Sequence, residues 1–232
     1  MNDVNRVVLQ GVVVAQPHVR EFESGSRLVN LRLRTVGVRP AADGGGRERT
    51  TRHNVTVRGA RAVADAEGFF EGVPAYVEGD IGTREYIDRE GDSVSITEVR
   101  SAVVRSVAHG RPDVNCAVLL GHITEVSDLR QAGNGQILEF RLRTTDVWTG
   151  RDGGRNTTHE DHYVVAGDDL APKLRLHPGQ RVLVSGELHV RRLGGEEERP
   201  VWRTEIRARE VTPTAHRTTP HQEPIEDGEP PF

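Results

Sequence analysis

Cysteine, methionine and lysine occur once each in the 232 residues, and aromatic side chains make up only 4%. With Cys116 alone, no internal disulfide can form, which fits a reducing cytoplasm. Scarce aromatics beside 28% charged residues leave thin material for one large core, but enough for two small β-barrels. Lys173 is the only lysine, so the basic side is arginine, a planar, bidentate, stacking donor rather than a point charge. A biased genome composition explains the same skew. No stretch approaches the roughly 20 apolar residues of a membrane span. The apolar segment Val7–Val14 is broken by Gln10 and Gly11 and does not read as a signal peptide. These absences point to a soluble, cytoplasmic protein.

Net charge is −4, and the acidic excess sits at the end of the chain. From Thr212 to Phe232, Glu223, Glu226, Asp227 and Glu229 stand against Arg217. The rest is close to neutral, so where its arginines gather matters more than the total.

What the chain does hold is itself, twice. Asn5-Arg-Val-Val-Leu-Gln-Gly11 returns as Asn115-Cys-Ala-Val-Leu-Leu-Gly121, 110 residues on, and Val19-Arg20 with Gly25 returns as Leu129-Arg130 with Gly135. Val29–Thr35 returns as Leu138–Thr144, and His53-Asn-Val55 as His162-Tyr-Val164, both at an offset of 109. Gly72 and Gly79 return as Gly179 and Gly186, offset by 107. Ordered blocks with a drifting offset mark a duplicated domain with small loop deletions.

Each copy reads as strands, one short helix, then strands. Val7–Val14 and Ala117–Val126 are strands whose glycines suggest a bulge or barrel bend. Val29, Leu31 and Leu33 alternate with Asn30, Arg32 and Arg34, as Leu138, Phe140 and Leu142 do with Glu139, Arg141 and Arg143. Such strands line a core with one face and offer paired arginines on the other. Hairpin loops are expected at Ala41–Arg49 and Thr149–Thr157, followed by strands Thr51–Arg58 and Glu160–Val165. Helices are expected at Ala60–Phe70 and Asp168–Leu176, the second with capping aspartates and Pro172 in its first turn. Strands Ala75–Ile81 and Arg181–Val190 then lead through hairpins into Ser93–Val104 and Pro200–Val211. Five strands with a helix between the third and fourth is OB topology, a partly open barrel that often binds oligonucleotides. The expected fold class is mainly β: two tandem five-stranded OB barrels at residues 1–108 and 109–211, then a disordered acidic tail at 212–232 where proline, threonine and acids replace periodicity.

Catalytic and metal chemistry find no footing. His159 and His162 flank Glu-Asp, but at period two they project to opposite strand faces and cannot share an ion. The glycine runs at 44–46 and 153–154 lack a following Gly-Lys-Ser/Thr. No serine–histidine or cysteine–histidine pair has a recognisable context, so neither enzyme, metal nor cofactor is expected.

The blocks resemble the bacterial single-stranded-DNA-binding protein family. Gln16-Pro-His-Val-Arg-Glu-Phe-Glu-Ser-Gly25 is close to the family's D-P-E-V-R-Y-T-P-S-G, and His53-x-Val55 with Gly59 matches its W-H-x-V…G segment. Tyr76-Val-Glu-Gly79 matches Y-x-E-G, Thr83-Arg-x-Tyr86 matches T-R-x-W, and Glu226-Asp-Gly-Glu-Pro-Pro-Phe232 is similar to the acidic D-x-P-F terminus. Two copies per chain resemble the double-OB variant, in which a homodimer supplies four folds. The resemblance implies sequence-tolerant binding and protection of single-stranded DNA in replication, recombination and repair. Arginines track phosphates while flat side chains stack on unpaired bases. The residues so implied are Arg32, Arg34, Arg39, Arg52, Arg84 and Tyr86 in the first copy, and Arg141, Arg143, Trp148, Arg191, Arg192 and Trp202 in the second. Arg39, Arg52, Asp161 and Leu193 stand where the family has aromatics, which predicts weaker, more salt-sensitive binding than is usual for it. His53 and His162 match a position the family uses at subunit contacts.

The tail implies a docking tip. Phe232 behind Pro230 and Pro231 would fill an apolar pocket on a replication, recombination or repair protein, with Asp227 and Glu229 pairing arginines around it. The location implied is the cytoplasm, at the nucleoid. A second reading stays open: a divergent paralogue with weak DNA binding, acting as an interaction scaffold or in a mobile element's replication.

Overall fold

Val7, Leu9, Val29, Leu31 and Leu33 in the first copy, like Leu119, Phe140 and Leu142 in the second, are buried at alternate positions. Period-two burial of this kind curls each copy of the sheet around an aliphatic core. The computed structural model describes residues 3–40, 45–87, 91, 93–133, 135–150, 152–167, 169–193 and 201–214. The first copy comprises β1 (Val4–Val13), β2 (His18–Glu21), β3 (Arg27–Pro40), β4 (Gly46–Val57), α1 (Ala60–Glu67), β5 (Pro74–Ile87) and β6 (Ser93–Ser106). The second comprises β7 (Val114–Val126), β8 (Arg130–Ala132), β9 (Gly135–Thr149), β10 (Arg155–Gly167), β11 (Arg181–Leu193) and β12 (Val201–Pro213).

The first barrel closes in the order β1–β3–β4–β6–β5 and back to β1, with β4 and β6 parallel. The second closes in the same order with its equivalents, β10 and β12 being its parallel pair. Both are OB-type barrels. Closure explains four of the repeated glycines. A Cβ on Gly11 or Gly121 would overlap the carbonyl oxygen of Arg34 or Arg143 across the barrel seam. One on Gly79 or Gly186 would overlap that of Arg100 or Arg207, where the strand register shifts. The bend expected at Gly11 and Gly121 is thus a close backbone crossing.

β1 and β7 join the barrels as an antiparallel pair centred on Val7 opposite Ala117. The ladder is self-symmetric: Val4 faces Leu120, and Gln10 faces Val114, their repeat equivalents exchanged. Reciprocal hydrogen bonds reinforce it. Thr145 N–H donates to Asp3 Oδ2 at 3.0 Å, and Val36 N–H donates to Asp113 Oδ2 at 2.6 Å. Asn5 and Asn115 exchange paired amide bonds of 2.8 and 2.9 Å with the backbones of Ile81 and Leu188. The chain thereby carries within itself the two-fold contact that a homodimer makes between subunits.

The structure corrects several expectations. The second copy has no α-helix at 168–176 among the described residues; only the 3₁₀ turn Ala171–Lys173 forms there. Pro172 withholds a donor, Leu174 is already extended, and His177 is constrained by Pro178. The Arg175 side chain instead donates to the carbonyls of Pro172 and Leu174. α1 stops at Glu67, leaving Phe69 buried beyond its end and Phe70 exposed. Strands β4, β9 and β10 run into the expected loops, β4 from Gly46, β9 to Thr149 and β10 from Arg155. The edge strands β2 and β8, which alternation alone does not reveal, pair with β3 and β9. β12 continues through Pro213, two residues past the expected end of the second barrel.

Candidate nucleic-acid interface

On β3 and β4, Arg34 stands directly opposite Arg52, and Arg32 opposite Asn54. Their neighbours Leu31, Leu33, His53 and Val55 are buried, so these arginines lie on the outer face of the barrel. Among the described residues, no carboxylate pairs with Arg32, Arg34 or Arg52. The Arg34 Nε is shielded from solvent yet has no hydrogen-bond partner among them. On β5, Arg84 Nε donates to Glu98 at 3.2 Å, and the guanidinium lies 5.5 Å from the Tyr86 ring centre. Four arginines here meet one partnering carboxylate among the described residues, Glu98, itself only 5% exposed.

The second copy uses the same frame differently. Arg143 stands opposite Asp161 and grips it in a bidentate pair, with bonds of 2.8 and 2.7 Å. The Arg143 hydrogen bond holds the Asp161 carboxyl below its ordinary range, against a smaller upward push from burial. Arg141 reaches Glu125 at 3.3 Å and donates to the Tyr163 hydroxyl at 3.0 Å. Two guanidinium groups approach Tyr163, those of Arg141 and Arg203, at 4.9 and 4.7 Å from its ring centre. Arg191 and Arg203 both contact Glu139 at 3.5 Å. They also contact Glu205, at 3.5 and 3.4 Å. Glu205 is 1% exposed, and burial pushes its carboxyl up. The His189 hydrogen bond and the charges of Arg191, His189 and Arg207 outweigh this and hold it below the ordinary value.

Of the sequence-predicted residues, Arg32, Arg34, Arg52, Arg84 and Tyr86 therefore share one face, and Arg141, Arg143 and Arg191 share its counterpart. Trp148, Arg192 and Trp202 do not join them. Trp148 stands in the strand phase of buried Leu142 and Thr144, and lines a cleft of about 580 Å³ between the copies with Arg58, Arg100 and Glu160. Arg100 spans that cleft edge, pairing with Asp80 at 2.6 Å and Glu160 at 3.0 Å. Trp202 pairs in register with Arg192, in the phase of buried Ile206, and is 61% exposed. Arg39 lies near the hairpin end of β3, opposite Arg47. Asp227, Glu229, Pro230, Pro231 and Phe232 lie outside the described residues.

His53 and His162 are buried within the single chain, each sharing a 2.8 Å hydrogen bond with Thr35 or Thr144. Burial depresses both to about 4, helped by His189 of the second copy for His53 and by Arg100 of the first copy for His162. Each thus feels a charged group of the other copy, while its hydrogen bond stays within its own. Sequence reasoning missed Tyr163, Glu98 and Glu205. Tyr163 could have been found from its phase, since it follows inward His162 and must share the outer face with Asp161. A buried glutamate offers no such signal.

The architecture has close counterparts among solved structures. A deletion mutant of the single-stranded DNA binding protein from Thermus aquaticus matches with a TM-score of 0.78 at 21% identity, over 95% of this chain and 99% of that one. The wild-type Thermus aquaticus protein matches with a TM-score of 0.73 at 23% identity, over 93% and 95%. At such identities the likeness speaks to the fold. The sequence carries the family: the profile of the single-strand binding protein family matches twice, at residues 4–107 and 114–214, once for each barrel. This chain belongs to the single-strand binding protein family, in its double-OB form.

Proposed function

We propose that the protein binds single-stranded DNA without regard to sequence and shields it during replication, recombination and repair. The observation that carries this reading is the outer face of the first barrel. There, among the described residues, Arg32, Arg34 and Arg52 stand without carboxylate partners on a family fold. Like charges directly opposite on a sheet are unfavourable, and a bound phosphate relieves that cost. Tyr86 beside Arg84, and Tyr163 near Arg141 and Arg203, are partly exposed flat groups on which unpaired bases can stack. Trp148 and Trp202 belong to the contact surface on the opposite strand phase, and a strand wrapped around a barrel meets both. Titration with oligo-dT tests the reading, because stacking quenches the fluorescence of Trp148 and Trp202. Saturable quenching supports it, and unchanged emission at micromolar DNA refutes it.

The same proposal extends to partners. Asp227, Glu229 and Phe232, behind Pro230 and Pro231, supply the charges and the ring that an apolar pocket rimmed by arginine would take. Phe232→Ala should abolish capture of replication and repair proteins while sparing oligo-dT binding. A homodimer would present four OB folds, which sedimentation measures directly. The scaffold reading draws on one observation, the carboxylate pairing of Arg141, Arg143 and Arg191 in the second copy. Partner capture with undetectable DNA binding would favour it.

A further inference from the structure

Three acids hold arginines on the outer face of the second copy: Glu125 on Arg141, Glu139 on Arg191 and Arg203, and Asp161 on Arg143. None has an acidic counterpart in the first copy. The repeat offsets place Ala15, Asn30 and Arg52 at the equivalent positions. The strand registers confirm the match at the most telling site, since Arg34 faces Arg52 as Arg143 faces Asp161. From this we infer that the copies engage DNA in a fixed order. The first copy loads the strand, and the second is a latched site that opens only when tethered DNA supplies phosphate at high local concentration. The inference rests on the proposed single-strand binding and adds a regulation of it.

The reason is competition for one geometry. A carboxylate on a guanidinium uses the same paired N–H donors that a phosphate would use. At Arg143 a phosphate must displace Asp161 and leave that acid beside the DNA backbone, so little is gained. At Arg34 and Arg52 no such ion pair has to break, and a phosphate screens two opposed cations. Once the first copy holds the strand, the next phosphates arrive as an intramolecular ligand, at an effective concentration that can reach the millimolar range. Breaking the latch is then favourable. The Tyr163 ring, 36% exposed near Arg141 and Arg203, stands beside it for the first base delivered.

The test uses the full chain and a dye-labelled oligo-dT of about 8 nucleotides, long enough for one OB fold. Anisotropy titrations at several salt concentrations compare the unaltered protein with Arg34→Gln/Arg52→Gln, Arg143→Gln/Asp161→Asn and Asp161→Asn, each checked by circular dichroism. The first double variant should lose about tenfold or more in affinity and about 1.4 in the log–log salt slope, at roughly 0.7 per phosphate contact on single strands. The second should stay within about threefold. Asp161→Asn alone, which frees Arg143 and opens the second copy as a site of its own, should raise the stoichiometry from about one to about two 8-mers per chain. Equal losses in the two double variants, or an Asp161→Asn stoichiometry unchanged from the parent, would overturn the latch. Failure of the unaltered protein to bind oligo-dT would overturn single-strand binding as well, so the two failures are distinguishable.

Discussion

Arg34 and Arg52 occupy the register position that Arg143 and Asp161 occupy in the second copy, so one duplicated site holds two like charges and its twin a bidentate ion pair. A like-charged pair directly opposite costs a few tenths to about 1 kcal/mol, while an exposed ion pair contributes at most about that much. Installing the second copy's solution in the first should therefore trade function for stability. Arg52→Asp should raise stability by roughly 0.5 kcal/mol in urea denaturation and weaken oligo-dT binding by about tenfold. A variant that binds as tightly as the parent would remove Arg52 from the interface.

Burial of His53 and His162 sets the pH profile. Both are held at about 4 in the folded protein, against the ordinary value of 6.5 that they recover on unfolding. Above that ordinary value both are neutral in either state, and their contribution to stability is fully present. As pH falls from 6.5 towards about 4, the unfolded chain takes up protons that the folded one refuses, so stability drops. At 1.36 kcal/mol per unit this approaches roughly 3 kcal/mol for each histidine. Below that window, protonation of Asp161 and Glu205, both held low in the fold, removes more. Urea midpoints at pH 7.5, 5.5 and 4.5 should decline steadily. A flat profile would contradict the neutral, buried histidines.

The glycines should separate by cause. Gly11→Ala drives a methyl into the Arg34 carbonyl and should cost roughly 3 kcal/mol, the upper end for overpacking. At Gly25 there is open space, but φ is +74°, so Gly25→Ala should cost about 1–2 kcal/mol through backbone strain alone. Chemical denaturation of the two variants gives the ranking. The reverse order would mean that the barrel seam relaxes more freely than its backbone crossing suggests.

Tyr163 should act through its ring. Tyr163→Phe removes a 3.0 Å hydrogen bond from Arg141 but keeps the flat surface, and should bind a long oligo-dT within about twofold of the parent. Tyr163→Ala removes the surface as well and should lose roughly 1–2 kcal/mol of binding. Anisotropy titration of both variants decides it. Equal losses would assign the effect to the hydroxyl.

Much of the fold is legible in the sequence because alternation and repetition are local signals. Val29 to Thr35 and Leu138 to Thr144 announce both their inner and outer faces, and the offsets give the duplication. The second helix is misread because Asp168 and Pro172 are good helix starters, while Pro178 and the extended Leu174 end the turn at once. The site is legible in part. Strand phase puts Arg32 beside Arg34, but which arginines are neutralised depends on cross-strand register, and no repeat search weighs Asp161 against Arg52. Trp148 and Trp202 follow the resemblance into the candidate set, while their strand phase places them opposite the arginine rows. Glu205 is invisible for a different reason. A buried carboxylate is tolerable only where several cations converge, and that convergence from β11 and β12 exists only in three dimensions.

The most direct measurement titrates the full chain with oligo-dT, with a duplex of equal length and with the matching RNA, at two salt concentrations, following tryptophan emission. Single-strand binding through arginine-tracked phosphates and stacked bases predicts saturable quenching by oligo-dT, at least tenfold tighter than duplex, with a clearly negative log–log salt slope. Duplex binding as tight as single strand, or a salt slope near zero, would contradict it.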